Sequence, residues 1–308
     1  MISAIIVTYN SREHIGRCLA GLTGTGAEAI VVDNASTDGT AEFVRTQFPA
    51  VKLISGDRNL GFAAAANLGV RQSAGRALLF LNADVICDAR LASLEDLLSR
   101  DANLAAIAPR LVDAGGRTQI GFTVRRLPSA SALIFEILLL NRIFPRNPVN
   151  RRYRCLDLDY EQPQRVEQPA GACLMVRRDV FESCGGFDEK FFPLWFEDVD
   201  LCLRIGRRGG ILYWPLVAFE HSGGHSVETL SFSDRQVYWY RNLLYYVTKH
   251  FPWTTGIAIR TVLLCGIALR VFAELPGFVA APRSRASTRS ERVCAYLKAA
   301  RLSFLGWR

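Results

Sequence analysis

The sequence has no CxxC pair, no GxxxxGK[ST] loop, no HExxH and no GxSxG. Zinc-ribbon, P-loop, zincin and serine-hydrolase chemistries therefore lack their residues. The eight cysteines, at 18, 87, 155, 173, 184, 202, 265 and 294, are too widely spaced for a metal or redox motif and read as reduced thiols of a cytosolic protein. A basic leader is missing too, because Met1 runs directly into Ile5-Ile6-Val7 with no small-residue cleavage site, so no signal peptide is expected. The apolar run 261–269 is closed off by Arg260 and Arg270 and falls well short of the roughly 20 residues of a membrane span. With half of its 308 residues apolar and 21% charged, the chain can still bury a full-sized core, which excludes disorder as its main state.

Acidic residues are scarce at one end. Residues 240–308 hold 11 Lys+Arg against 2 Asp+Glu, while residues 1–239 hold 26 against 27, so the tail carries all of the basic excess. Basic and apolar residues occur there together, which favours an anionic membrane surface over nucleic acid as partner. As a helix over 255–275, Arg260, Arg270 and Glu274 fall within about 80°, leaving Val262, Leu264, Leu269 and Val271 outside that sector. This predicts an interfacial helix lying on the cytoplasmic face of a membrane without crossing it, with packing against the rest of the chain or a second copy as the alternative. Beyond Pro276 and Pro282, Arg283, Arg285, Arg289, Arg292, Lys298 and Arg301 would each add about 1 kcal/mol of attraction to anionic lipid.

Up to Arg110, short β-branched runs alternate with helical stretches in steps that suit successive βα units. The pattern predicts strands at 4–8, 29–32, 51–54, 77–81 and 104–108. Helices are expected at 12–22, 39–48 (capped by Thr37 or Asp38), 62–73 and 90–99 (capped by Asp88). The implied fold is α/β, a mostly parallel sheet with helices on both faces and a C-terminal helical tail, and such sheets bind ligands at the carboxyl ends of their strands. Residues 113–168 break the rhythm around one helix at 132–140. Order returns with a strand at 173–176, a helix at 198–207 and a strand at 211–219. Gly24 to Ala29 spells GxGxxA, but it follows a helix and precedes a strand, the reverse of a pyrophosphate-binding turn.

Polar residues gather where the predicted strands end: Thr8-Tyr9-Asn10, Asp33-Asn34-Ala35-Ser36, Arg58-Asn59 and Asn82-Ala83-Asp84. Ser36, Thr37, Asp38 and Asp88 read as turn and cap residues. Asp33 and Asp84 do not, since a carboxylate at the end of a buried parallel strand is costly unless paired or metal-bound. A second acidic focus is Glu197-Asp198-Val199-Asp200. Asp200 has an i,i+4 partner in Arg204, whereas Asp198 finds Cys202 at that spacing.

The segments VTYN (7–10), VDNASTDGT (32–40), NLGFAAAAN (59–67), LNAD (81–84), QPAGACLMVRR (168–178), GGFDEKFF (185–192), FEDVDLCLR (196–204) and HSGGHS (221–226) resemble the family 2 inverting glycosyltransferases of the GT-A fold. The resemblance is to the rhamnosyltransferase-like branch that builds bacterial surface polysaccharides, and it covers about residues 1–250. It implies a catalytic domain over 1–250, with a nucleotide-sugar half to about 110 and an acceptor half after it, followed by the basic tail 251–308.

On that resemblance Thr8, Tyr9, Asn10, Asp33 and Asn34 hold the nucleoside, and Asn59 and Asn67 lie beside the nucleotide. Asn82 and Asp84 stand where the family has its DxD element, with Asn82 replacing the first carboxylate. Asp84 is then the main ligand of Mg²⁺ or Mn²⁺, and Asn82 a ribose or phosphate contact. His221 is a third ligand, a diphosphate contact or an ordinary hydrogen-bonded histidine. Asp198 is the catalytic base that takes the acceptor hydroxyl proton. Glu197 and Trp195 touch the acceptor sugar, with simple packing as the other role for Trp195. The implied reaction moves a sugar, with rhamnose from a dTDP donor first and UDP donors next, to a glycan or lipid-linked acceptor with inversion. Homo-oligomerisation stays open.

Two other functions share such a sheet. A sugar nucleotidyltransferase needs a Gly-rich basic loop after the first strand, but Thr8-Tyr9-Asn10-Ser11-Arg12 has no glycine before Gly16. A binding module without catalysis would be expected to lack Asp84 and Asp198, and both are present.

Overall fold

The computed structural model describes residues 1–223, 230–274 and 283–305, with side chains from 289 to 303 in the last stretch. The first half alternates as its sequence pattern requires: β1 (Ile2–Thr8), α1 (Ile15–Leu22), β2 (Glu28–Asp33), α2 (Thr40–Gln47), β3 (Lys52–Ser55), α3 (Phe62–Arg71), β4 (Ala77–Asn82), β5 (Val85–Ile86), α4 (Leu91–Arg100) and β6 (Leu104–Val112). The middle is shorter-grained, with β7 (Val124–Arg125), α5 (Ala130–Ile137), α6 (Leu140–Ile143), α7 (Pro148–Tyr153), β8 (Gln164–Val166) and β9 (Gln168–Pro169). Then come β10 (Cys173–Arg177), α8 (Arg178–Ser183), α9 (Glu197–Ile205), β11 (Gly210–His221) and three long helices, α10 (Phe232–His250), α11 (Trp253–Glu274) and α12 (Arg283–Leu305).

The main sheet runs β3-β2-β1-β4-β10-β6-β11-β5, with β8 added on β11, and β7 pairs with β9 separately. Strands β3, β2, β1 and β4 are mutually parallel, as expected, but β10 is antiparallel to both neighbours, β4 and β6. The reason is topological. β6 ends at the carboxyl edge of the parallel strands, and after the 113–168 excursion the chain enters β10 from that edge running the other way. Side chains alternate between two cores. Ile6, Leu79 and Leu81 pack with α1 and α4 residues such as Leu19 and Leu94, while Ile5, Leu78 and Phe80 pack with Ala66, Phe181 and Leu201 of α3, α8 and α9.

Two local signals are displaced. The N-cap of α2 is Gly39, held at φ 85°, and Asp38 instead accepts from the Thr40 amide at 3.0 Å and the Arg12 amide at 2.9 Å. Asp88 likewise grips Arg90, the actual N-cap of α4, through backbone and guanidinium. Gly24 and Gly26 sit in the α1–β2 turn, as their order requires. All eight cysteines are free.

The chain divides into two compact units, Met1–Leu127 with Arg154–Ser226, and Pro128–Tyr153 with Val227–Arg308. In the second unit α10 packs with α11 and α12, and 128–153 joins them through α5. Within this second unit the α11 helix differs from expectation in which side faces water. Arg270 donates to the Ile137 and Gly266 carbonyls, and Glu274 pairs with Arg289 and Arg292, so those polar groups lie on the packed side with Ile259, Leu263 and Ile267. Trp253, Ile257, Leu269 and Phe272 are exposed instead. By length and composition α11, at 22 residues, is also long and apolar enough to cross a membrane, because the helix extends past both arginines that bound the apolar run. Pro276, Pro282 and the side chains of Arg283 and Arg285 lie outside the described residues.

Candidate active site

Parallel pairing puts the strand ends in one row, with Thr8 opposite Asp33, Asp33 opposite Ser55 and Val7 opposite Asn82. Asp33 is buried there and fully engaged by donors: Thr8 Oγ1 at 2.8 Å and Ser36 Oγ at 2.5 Å reach Oδ1, and the Ser36 amide reaches Oδ2 at 3.0 Å. Asn10 joins the two loops, its Oδ1 accepting from the Thr37 amide at 2.8 Å and its own amide bonding Ser36 Oγ at 2.8 Å. Tyr9 is half-buried between them.

Asn34, Asn59 and Asn67 shape the edge rather than point freely from it. Asn34 accepts from the Leu60 amide and donates to the Gly61 carbonyl, and Asn59 Oδ1 accepts from the Gly61 amide at 2.8 Å. Gly61 needs its φ of 79° and its bare Cα, since a Cβ would come within 2.8 Å of the Phe192 ring and 3.0 Å of the Pro193 carbonyl. Asn67 donates to the Phe187 carbonyl and Glu189 and accepts from the Phe187 amide, tying α3 to the 186–189 turn.

Asn82 ends β4 with its side chain half-buried and without a hydrogen-bond partner among the described residues. Two residues on, Asp84 is 9% exposed, its Oδ2 accepting from the Gly223 amide at 3.0 Å. His221 arrives beside it at the end of β11, where His221 pairs with Val85, and its Nε2 lies 3.6 Å from Asp84 Oδ2. Burial pushes the His221 imidazole below its ordinary pKa, against the opposite pull of the Asp84 charge. Carboxylate and imidazole suit Mn²⁺ or Mg²⁺, and such ions commonly take only one or two protein side chains, completing their shell with substrate phosphate and water. Among the described residues no group of three or more metal-ligating side chains is gathered.

Asp198 reaches the same edge by a short bridge. The Asn82 amide donates to the Ala172 carbonyl at 2.9 Å, and the neighbouring Gly171 amide donates to Asp198 Oδ2 at 3.2 Å. Gln168 Nε2 donates to that oxygen at 3.3 Å, and the Val199 amide to Oδ1 at 2.8 Å. A Cβ at 171 would stand 2.9 Å from the Asp198 Cβ, so glycine is what allows this approach. Burial raises the Asp198 pKa, while the Gly171 and Val199 amides and the Arg125 charge act to lower it. Before it, Trp195 and Phe196 both hold left-handed φ, 77° and 70°, strain of about 1–3 kcal/mol each of the kind retained at working sites. Glu197 is buried with Oε2 unpartnered, and burial together with the Asp198 charge drives its carboxyl well above the ordinary range.

Asp200 is structural, as the i,i+4 spacing indicates. It is fully buried, and Arg204 Nε donates to Oδ2 at 2.8 Å while Arg204 Nη1 donates to the Cys184 and Gly186 carbonyls. Asp200→Asn leaves a guanidinium inside without its counter-ion and is expected to cost about 3 kcal/mol of stability in denaturant titrations. Turnover per folded molecule should be unchanged.

Gln119, Phe122, Arg125, Gln168 and Gly171 carry no site signal of their own in the sequence. The last two fall inside the QPAGACLMVRR segment, so only the resemblance marked their neighbourhood.

The Glycosyl transferase family 2 model matches residues 3–185. The chain is 30% identical over 290 residues to the N-acetylglucosaminyl-diphospho-decaprenol L-rhamnosyltransferase of Mycobacterium tuberculosis, covering 88% of this chain and 91% of that one. It is 26% identical over 212 residues to the low-salt glycan biosynthesis hexosyltransferase Agl10 of Haloferax volcanii, covering 67% and 62% of the two chains. Of solved structures, a Pyrobaculum calidifontis mannosyltransferase in complex with GDP-Man and Mn²⁺ matches with TM-score 0.55 at 17% identity, covering 99% of this chain and 87% of that one. S. aureus TarS 1-349 matches with TM-score 0.53 at 16% identity, covering 97% and 80%. These last two show the shared GT-A fold. The model match spans more than half of the chain and the mycobacterial relative nearly all of it, so the chain belongs to glycosyl transferase family 2 and is a rhamnosyltransferase-like hexosyltransferase.

Proposed function

We propose that the enzyme transfers a deoxyhexose, L-rhamnose from dTDP-rhamnose first and a UDP-linked sugar next, with inversion, onto N-acetylglucosamine carried on a polyprenyl diphosphate. The name of the mycobacterial relative supports this choice of sugar and acceptor. The observation that supports the reading is the bridge through Gly171 and Ala172, which links the Asp198 carboxylate, read here as the base, to the strand end bearing Asn82 and Asp84.

Thr8 and Asp33, with Tyr9, Asn10 and Asn34 framing them, receive the nucleoside. Asn82 offers its free amide to ribose or phosphate, and Asn59 and Asn67 keep the flanking loop and helix in place. Asp84 and His221 would hold the divalent cation. When bound, that ion neutralises the charge developing on the leaving diphosphate. Asp198 takes the proton of the acceptor hydroxyl as its oxygen attacks the anomeric carbon from the face opposite the diphosphate. Glu197 and Trp195 adjoin the base on the acceptor side. Purified enzyme given a panel of dTDP- and UDP-sugars with Mg²⁺ or Mn²⁺ should release nucleoside diphosphate fastest from one donor when polyprenyl-diphospho-GlcNAc is present. A product with retained anomeric configuration would overturn the single displacement.

The second unit supports attachment at the cytoplasmic membrane surface, where such an acceptor is presented. The exposed face of α11 carries Trp253, Ile257, Leu269 and Phe272, and the chain's basic excess lies in the same tail. Each large apolar side chain moved from water into lipid contributes about 1.5–3 kcal/mol. Replacing Ile257, Leu269 and Phe272 with Gln is expected to release the protein from anionic liposomes in flotation assays while donor hydrolysis persists. Unchanged flotation would remove this face from the membrane reading.

A further inference from the structure

His221 is held from three sides, and one of its partners has no role in anything above. Gln119 lies 102 residues away in sequence, in the turn after β6, and makes two hydrogen bonds to the same residue. Its Nε2 donates to the His221 backbone carbonyl at 2.8 Å, and its Oε1 lies 2.8 Å from His221 Nδ1. The first bond fixes the second. A carbonyl oxygen only accepts, so the amide NH₂ must face it, and the amide oxygen must face the ring. That oxygen also only accepts, so Nδ1 carries the hydrogen. In neutral imidazole the lone pair then sits on Nε2, the nitrogen 3.6 Å from Asp84 Oδ2.

That separation is too long for a hydrogen bond, and with Nδ1 protonated it sets two electron-pair donors face to face in a buried site. Asp84 Oδ2 already has one donor, the Gly223 amide at 3.0 Å. Phe122 covers a face of the imidazole, with ring centroids 4.8 Å apart and planes within 10°, so the ring is fixed against tilting as well as against exchanging its nitrogens. Two opposed donors on a fixed frame are what a cation between them needs, and a histidine ligand characteristically gives its other nitrogen's hydrogen to an outer acceptor.

We propose that Gln119 is a positioning residue that locks His221 as the Nδ1–H tautomer and thereby presents Nε2, together with Asp84 Oδ2, to the divalent cation. The proposal rests on the reading of Asp84 and His221 as metal ligands. It gives the irregular excursion after β6 a definite task in the donor site, since that segment supplies both Gln119 and Phe122.

The test reads the tautomer and the metal separately. In full-length protein with ¹⁵N-labelled histidine, only four histidines contribute, and His221→Asn identifies the signal of interest. His221 should show a protonated Nδ1 and an unprotonated Nε2 without added metal. Mn²⁺ titrated by EPR in the presence of dTDP, against a protein-free control, should then bind Gln119→Leu at least about tenfold more weakly than wild type. In that variant the tautomer bias is lost. Gln119→Glu, which keeps an acceptor opposite Nδ1–H, should restore most of the affinity, and Gln119→Met serves if the leucine variant does not fold. A wild-type His221 protonated on Nε2 overturns the proposal, as does a folded leucine or methionine variant with unchanged tautomer and Mn²⁺ affinity. Wild-type protein that shows the locked tautomer but takes up no Mn²⁺ instead overturns the metal reading, and the proposal with it.

Discussion

Asp198→Asn is expected to lower sugar transfer by about 10²- to 10⁴-fold, the usual worth of a general base. The amide keeps the size of the carboxylate and can still accept from the Gly171 amide and Gln168, so α9 and the strained Trp195–Phe196 turn should stay in place. What it loses is the ability to take the acceptor's proton. Donor affinity by titration calorimetry should therefore hold within a small factor while turnover collapses. If donor affinity falls with turnover, Asp198 binds substrate and is not the base. The pH profile gives an independent reading. A base works deprotonated, and burial raises the Asp198 pKa, so the acid limb of transfer should lie above the ordinary carboxylate range, with rate lost as pH falls through it. In Asp198→Asn that limb should vanish from the residual rate.

The succession of strands and helices in the first half was legible because short β-branched runs and helical stretches alternate at βα spacing, and nothing long-range is needed to see them. The direction of β10 was not, since residues 173–176 read the same whichever way the strand runs. Only the edge at which the chain re-enters decides it. The same limit applies to the division into two units, which joins 128–153 to residues beyond 226 by packing between distant helices. Of the three charged residues grouped on α11, Arg260 is exposed, while Arg270 finds the Ile137 carbonyl and Glu274 finds Arg289 and Arg292 inside the second unit. A charged sector faces solvent only when the protein offers it no partner.

The site follows the same division. Asp84 and Asp198 could be singled out because a carboxylate at a buried strand end or helix start has a cost that its sequence neighbours can be seen not to meet, whereas Asp33 is met three residues on by Ser36. Gln119 and Gln168 had no such mark. Each is a lone amide in an irregular stretch, and its meaning appears only when a partner 102 or 30 residues away is in place. Asn67 shows the converse, a polar residue in a family segment whose hydrogen bonds are spent on joining α3 to the Phe187–Glu189 turn.

Asp84→Ala should cost at least about 10² in turnover, and the loss should track the metal. Asp84 is the carboxylate nearest the His221 imidazole, and the other side chain at that strand end, Asn82, carries no charge. Among the described residues no second acid stands at that strand end, so the variant should lose Mn²⁺ uptake measured by EPR with dTDP present. Increasing Mn²⁺ should recover little. Folding should survive, because among the described residues the Asp84 side chain receives a single hydrogen bond, from the Gly223 amide, while its backbone carbonyl still accepts from Ser222. Alanine also relieves the burial of a carboxylate, so thermal unfolding should move little in either direction. Asp84→Asn separates charge from shape. It retains an acceptor for Gly223 and fits the same space, yet should fall nearly as far as alanine if charge neutralisation at the leaving diphosphate is what Asp84 supplies. Full activity of wild-type enzyme in excess EDTA, or an Asp84→Asn variant that turns over normally, would show that the diphosphate leaves without this carboxylate's help.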